Sequence, residues 1–252
     1  MKSFKIVSLL LSITLLTAFA PKTRHYTIYT IGDSTMANKS KDVYPETGWC
    51  MVLKDYVKEG VQVRNHAVNG RSTKSFIREK RWQAVLDSLK PGDYVFIQFG
   101  HNDEKENDTT RYAAPFGAYK ENLQKFISET KAKGATPVLF TPIVRRKFDE
   151  KGKLTDTHGQ YPAAARELAR ETGVNFVDLL AITEKWLGTI GDEPSKEYWL
   201  WTAPDSKYPQ GRKDDTHLSV KGANKICSLA LRDCIRQKMP FSGEILRKKL
   251  VD

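Results

Sequence analysis

Tyr94-Val95-Phe96-Ile97-Gln98-Phe99-Gly100-His101-Asn102-Asp103 is the stretch from which the rest of this chain can be read. A near-continuous apolar run of this length, stopped by a Gly-led polar turn, fits a parallel strand covered on both faces. Working outward, the same pattern recurs. Tyr26 to Ile31 alternates aromatic and β-branched residues and stops at Gly32-Asp33-Ser34. Val61 to Val68 runs into Asn69-Gly70-Arg71-Ser72-Thr73, Pro137 to Thr141 into Pro142-Ile143-Val144-Arg145-Arg146, and Val174 to Asp178 reads as a short fifth strand. Helices are expected between them: Trp49 to Lys58, a helix entered after Thr73 and running through Leu89, Phe116 to Lys133, Pro162 to Thr172 and Leu179 to Leu187. Gly134 and Gly173 act as stops. The polar segment 147–158 reads as a surface excursion and 197–210 as irregular. Asp214-Asp215-Thr216-His217-Leu218 then leads on a tight turn into a last helix from Ser219 to about Lys238. Strands alternating with helices specify a doubly wound parallel sheet. Right-handed crossovers place every strand-to-helix loop on one edge, where such sheets bind ligands. Ser34, Gly70, Asn102 and Arg145 therefore converge on one rim.

Composition bounds the class. The 252 residues, 40% hydrophobic and 28% charged, suit one α/β domain with its own core. Residues 1–20 stand apart: Lys2 and Lys5 precede an apolar run that ends Ala18-Phe19-Ala20, the order of a secretory leader. The run is short for a membrane span. The expected mature protein, residues 21–252, is an exported single domain, periplasmic or secreted, with no stable membrane insertion. Cys227 and Cys234 lie roughly 10 Å apart along one helix at ~1.5 Å per residue, too far for a disulfide. With Cys50 they read as buried free thiols rather than a zinc site. The formal charge is +11, or +9 without Lys2 and Lys5. Such a charge favours acidic partners. The basic residues are scattered, with no tract or groove element of the kind that binds nucleic acid.

Acyl transfer needs a nucleophile, a base, a group that orients the base, and donors for an oxyanion. Ser34 is the candidate nucleophile, His217 the base and Asp214 the orienter. Asp215 competes for that last role, but a three-residue offset suits a carboxylate reaching back to an imidazole ring. The candidate oxyanion donors are the N–H groups of Ser34 and Gly70 and the amide of Asn102. Each block alone is ordinary turn or cap chemistry. All four at strand ends or helix starts, in order, is a site.

Gly-Asp-Ser-Thr-Met-Ala, Asn-Gly-Arg-Ser-Thr, Gly-His-Asn-Asp and Asp-Asp-Thr-His-Leu together resemble the four blocks of the SGNH (GDSL) hydrolases. Gly-Arg-Ser (70–72), His101, Thr-Pro-Ile-Val-Arg-Arg (141–146) and Tyr-Pro-Gln-Gly (208–211) are similar to the rhamnogalacturonan acetylesterase branch. The resemblance implies a flavodoxin-like three-layer α/β/α sandwich on a five-stranded parallel sheet, with no metal and no cofactor. It assigns Ser34, Asp214 and His217 to a triad, and Ser34, Gly70 and Asn102 to an oxyanion hole. Leu218 departs from the proline that follows the histidine in many broader members. The substrate implied is an acetylated acidic polysaccharide, rhamnogalacturonan first. Arg71, Arg145 and Arg146 are candidate carboxylate contacts, and Trp199 and Trp201 candidate platforms for sugar rings. Competing readings are an acetylesterase for xylan or another glycan, and a non-catalytic carbohydrate-binding domain on the same scaffold.

Overall fold

The computed structural model describes residues 25–206 and 208–251. The leader expected over residues 1–20 lies outside the described residues. Five strands, β1 (Tyr26–Gly32), β2 (Val61–Asn65), β3 (Tyr94–Gln98), β4 (Thr136–Phe140) and β5 (Asn175–Val177), form one sheet in the order β2-β1-β3-β4-β5. Every pairing is parallel, with Ile28 between Val63 and Tyr94, and Phe96 opposite Val138. Helices fill the last three crossovers, α1 (Thr73–Arg78) and α2 (Arg81–Ser88) between β2 and β3, α3 (Lys120–Ala132) between β3 and β4, and α4 (Tyr161–Thr172) between β4 and β5, while α5 (Leu179–Ile190) follows β5. A short α6 (Asp192–Ser195) precedes an antiparallel ribbon of β6 (Trp199–Thr202) and β7 (Arg212–Leu218), and α7 (Val220–Arg236) closes the fold.

Side chains alternate across a strand, so β3 feeds two cores. Val95 and Ile97, with Phe99 just beyond, pack against Phe76, Trp82, Phe126 and Leu168 from α1 to α4. Phe96, on the opposite face, packs with Phe140, Leu187, Ile226 and Leu231 on the side of α5 and α7. This is the three-layer architecture expected from the strand pattern. Cys50, Cys227 and Cys234 are buried free thiols.

Three stretches differ from the sequence reading. Trp49 to Lys58 is no α-helix; it carries one 3-10 turn at Leu53–Tyr56. Its apolar residues have helical spacing, but its backbone bonds elsewhere. The N–H of Trp49 donates to the Thr35 carbonyl, that of Lys58 to Glu244, and the Tyr56 carbonyl accepts from Leu246. The helix expected up to Leu89 is broken in two at Lys80, which has φ of 56°. The region 197–210 is not wholly irregular: Trp199-Leu200-Trp201-Thr202 pairs with β7, and Asp214 to His217 belongs to that strand rather than to a turn entering α7.

Candidate active site

Ser34 stands on a single helical turn directly after β1, where the Asp33 carbonyl accepts from the N–H groups of Met36 and Ala37. The turn is tied to the sheet by a buried chain of hydrogen bonds. Trp49 Nε1 donates to Gln98 Oε1 at 2.9 Å, Gln98 Nε2 to Thr35 Oγ1 at 2.7 Å, and Thr35 Oγ1 to Asp33 Oδ1 at 2.8 Å. The Thr35 N–H donates to the same carboxylate oxygen. Asp33 Oδ2 lies 3.3 Å from His101 Nδ1, with both side chains buried. Burial would raise the Asp33 pKa, but His101 and the Thr35 bonds outweigh it and hold the carboxyl at about 2. Burial pushes His101 down to about 4 against the pull of Asp33. The pair is therefore a carboxylate beside a neutral imidazole at neutral pH.

The ribbon brings the second half. On β7 a bulge separates Asp214, paired with Leu200, from Leu218, paired with Trp199. Extra residues on one strand re-aim side chains out of the ladder. Asp214 Oδ1 accepts from the N–H groups of Thr216 and His217, each at 2.9 Å, which closes the bulge on its own carboxylate. Asp214 Oδ2 is 2.7 Å from His217 Nδ1, and His217 Nε2 is 2.9 Å from Ser34 Oγ. Burial would raise the Asp214 pKa, but bonds from the His217 ring and backbone and from Thr216 hold it well below the carboxylate range. An ionised carboxylate only accepts, so Nδ1 carries the proton and Nε2 is left to accept from the Ser34 hydroxyl. A hydroxyl so bonded is arranged for activation as a nucleophile.

Ser34, Gly70, Asn102, Arg145 and His217 line one cleft of about 480 Å³. Gly70 has φ of 75°, a conformation that favours glycine, and a Cβ there would meet Arg111 at 3.8 Å. Among the described residues no protein acceptor meets the N–H of Ser34 or of Gly70. Asn102 Nδ2 donates to the Arg71 carbonyl at 3.2 Å, which fixes the amide and leaves its second N–H. Around Ser34 these groups supply uncharged donors of the kind that meet a developing oxyanion. Asp103 clamps the neighbouring loops: its Oδ1 accepts from the N–H and hydroxyl of Thr73 at the start of α1. Among the described residues no cluster of three or more His, Cys, Asp or Glu side chains is arranged to hold a metal ion. No helix among them is long and apolar enough to cross a membrane.

The expected substrate contacts divide. Arg145 lines the cleft, although its guanidinium also pairs with Glu104 and donates to the Thr157 and His101 carbonyls. Arg146 does not reach the cleft. It is 4% exposed, donates to Ser195 Oγ and Asp215 Oδ1, pairs with Asp192, and lies 4.6 Å from the Trp201 ring centroid. A buried guanidinium requires such partners, so Arg146 clamps the loop after β4 to α6 and β7. Asp215, the competitor of Asp214, is consumed by that clamp and by Trp201 Nε1. Arg71 lies outside the cleft lining, with Nε on Glu79 and Nη1 on the Asn69 carbonyl. Trp199 is a core residue, 1% exposed and stacked on Trp186. Trp201 is half-buried among the cations of Arg146, Lys196 and Lys213. Neither tryptophan is among the residues that line the cleft. The sequence reading missed Glu46, Lys105 and Arg111, which line the cleft from loops without periodicity.

The profile of the GDSL-like Lipase/Acylhydrolase family matches residues 30–225. The rhamnogalacturonan acetylesterase RhgT of Bacillus subtilis is 38% identical over 88% of this chain and 95% of its own length. A rhamnogalacturonan acetylesterase of Emericella nidulans is 30% identical over 98% of this chain and 100% of its own. Among solved structures, YxiM of Bacillus subtilis superposes with a TM-score of 0.74 at 28% identity. The match covers 86% of this chain and 58% of that one, a little over half of the solved chain. The acetylxylan esterase Axe2 of Geobacillus stearothermophilus gives 0.61 at 22% identity, over 82% of this chain and 93% of that one, and shares the fold. On the matched span and on these identities, the chain belongs to the GDSL-like lipase/acylhydrolase family, in the company of the rhamnogalacturonan acetylesterases.

Proposed function

We propose that this protein is a serine carbohydrate esterase that removes acetyl groups from pectic polysaccharide, rhamnogalacturonan first. The observation that carries the reading is the continuous hydrogen-bonded series Ser34 Oγ, His217, Asp214 at the mouth of a polar cleft. His217 Nε2 takes the Ser34 proton as Oγ attacks the acetyl carbonyl. The carbonyl oxygen gains the negative charge and is met by the N–H groups of Ser34 and Gly70 and the amide of Asn102. His217 then gives its proton to the departing sugar oxygen, leaving an acetyl-serine. Water, deprotonated by His217, attacks that ester and releases acetate, and the proton returns to Ser34. Asp214 keeps the imidazole in the required tautomer and stabilises its charged form.

The substrate class is supported by the two rhamnogalacturonan acetylesterases to which the chain is 38% and 30% identical. The basic excess of the chain agrees with a galacturonate-bearing polymer. We further propose export by the leader over residues 1–20, with residues 21–252 acting as one catalytic domain without cofactor or metal. The test is acetate release from acetylated rhamnogalacturonan and acetylated xylan by the wild type and Ser34→Ala. Release from the pectin, abolished by the substitution, is expected. Preference for xylan overturns the substrate. Silence on both polymers and on an aryl acetate overturns the esterase and leaves a carbohydrate-binding domain.

A further inference from the structure

The cleft carries more positive charge than the acyl-transfer chemistry uses. Lys105, Arg111 and Arg145 stand on its wall, and Glu46, its one lining carboxylate, is already paired with Lys39 at 2.8 Å and Arg212 at 3.4 Å. The three cations are not equivalent. Arg145 is paired with Glu104, and Arg111 donates through Nε to Asp108 at 2.6 Å. The Lys105 ammonium has no hydrogen bond or ion pair to a described residue, and the residue is exposed. Partial burial, then Arg111 and Arg145, hold its ammonium below the ordinary lysine value, so the three charges feel one another.

Their placement is set by the chemistry next door. Lys105 follows Asn102 in one turn, where the Lys105 N–H meets the Asn102 carbonyl at 3.4 Å. Arg111 Nη1 reaches Asn102 Oδ1 at 3.4 Å and passes Gly70 closely. An acetyl group seated among Ser34, Gly70 and Asn102 therefore brings the sugar chain that bears it towards this wall. Like charges gathered on one wall repel, and an anion relieves that repulsion. A guanidinium fork beside an ammonium matches a carboxylate.

We propose that Lys105 and Arg111, backed by Arg145, form a carboxylate subsite that takes a uronic acid carboxylate of the acetylated sugar chain. The inference rests on the esterase reading above and adds to it the groups that read the acid. An acetylated pectic oligosaccharide and the same oligosaccharide with its carboxyls methyl-esterified present one backbone with and without the charge. The wild type is expected to favour the free acid in kcat/KM. That preference falls about threefold in Lys105→Gln and about tenfold in Lys105→Glu, the scale of an exposed pair lost and then reversed. It also falls in Arg111→Gln, whose rate on both substrates drops with it because Arg111 touches Asn102. A wild type indifferent to esterification overturns the subsite, as does an unchanged preference in the Lys105 variants. Activity on an aryl acetate with none on either oligosaccharide overturns the pectic reading, and the subsite with it.

Discussion

Thr35→Val tests whether the turn that carries Ser34 is locked from beneath. Thr35 is 1% exposed, and its hydroxyl makes two hydrogen bonds, accepting from Gln98 Nε2 at 2.7 Å and donating to Asp33 Oδ1 at 2.8 Å. Valine fits the same volume and removes both. The lost bond to an ionised carboxylate is worth about 1.5–3 kcal/mol, and the stranded Gln98 N–H costs about 1–3 kcal/mol. Burial of one extra methyl returns about 0.8 kcal/mol. The net expectation is a loss of about 2–5 kcal/mol, a large share of the ~5–15 kcal/mol that holds a domain folded. Urea denaturation of the two proteins measures it directly. A midpoint shift with unchanged slope isolates stability from any change in the unfolded chain. Because the Thr35 N–H still reaches Asp33, the turn persists, and hydrolysis of an aryl acetate falls without vanishing. A loss below about 1 kcal/mol would refute the chain of buried bonds as the support of the turn.

Other expectations are sharper in sign than in size. Asp214→Asn strands His217 in the wrong tautomer and lowers kcat by about 10⁴-fold with little change in the urea midpoint; near-normal turnover contradicts the relay. Burial pushes the Asp103 carboxyl up to about 8, so the folded state holds a proton that the unfolded chain releases near 4. Its contribution is complete at low pH and is lost as pH rises towards 8. His101, held down at about 4, acts in the opposite sense and only below about 6.5. Stability between pH 6.5 and 8 should therefore fall by at most about 1.4 kcal/mol per pH unit, and Asp103→Asn should flatten that slope. Gly222→Ala in the first turn of α7 sets a Cβ 1.8 Å from the Tyr198 carbonyl oxygen, and a loss of about 1–3 kcal/mol or more is expected in thermal unfolding.

The central strand was legible because burial on both faces writes a near-continuous apolar run at Tyr94 to Phe99, bounded by turn residues on either side, and β1 was legible from its aromatic and β-branched alternation. The rim positions followed from the parallel direction of the strands, which sets Ser34, Gly70 and Asn102 just beyond the carboxyl ends of β1, β2 and β3. What failed depended on partners distant in sequence. Trp49 to Lys58 has a helix's spacing, but its main chain bonds to Thr35, Glu244 and Leu246. Arg146 looked free for substrate because nothing local reveals that Asp192, Ser195 and Asp215 surround it. The alternation Trp199-Leu200-Trp201 is a strand signal, masked by the prolines and charges beside it. Lys105 and Arg111 sit in a polar loop whose course is set by tertiary contacts, so only the fold could bring them to the cleft.

The Ser34–His217 contact joins residues 183 positions apart. The serine turn is made early, from β1 and its neighbours, while the imidazole arrives on a ribbon that precedes only α7 and the last segment. During synthesis the chain therefore carries the Ser34 hydroxyl, the proposed nucleophile, long before its imidazole partner exists. A fragment ending ahead of β7 retains all five strands of the main sheet and neither Asp214 nor His217. On the proposed triad, catalytic competence is a timestamp: it comes only when nearly the whole polypeptide has been made and its end has returned to its beginning.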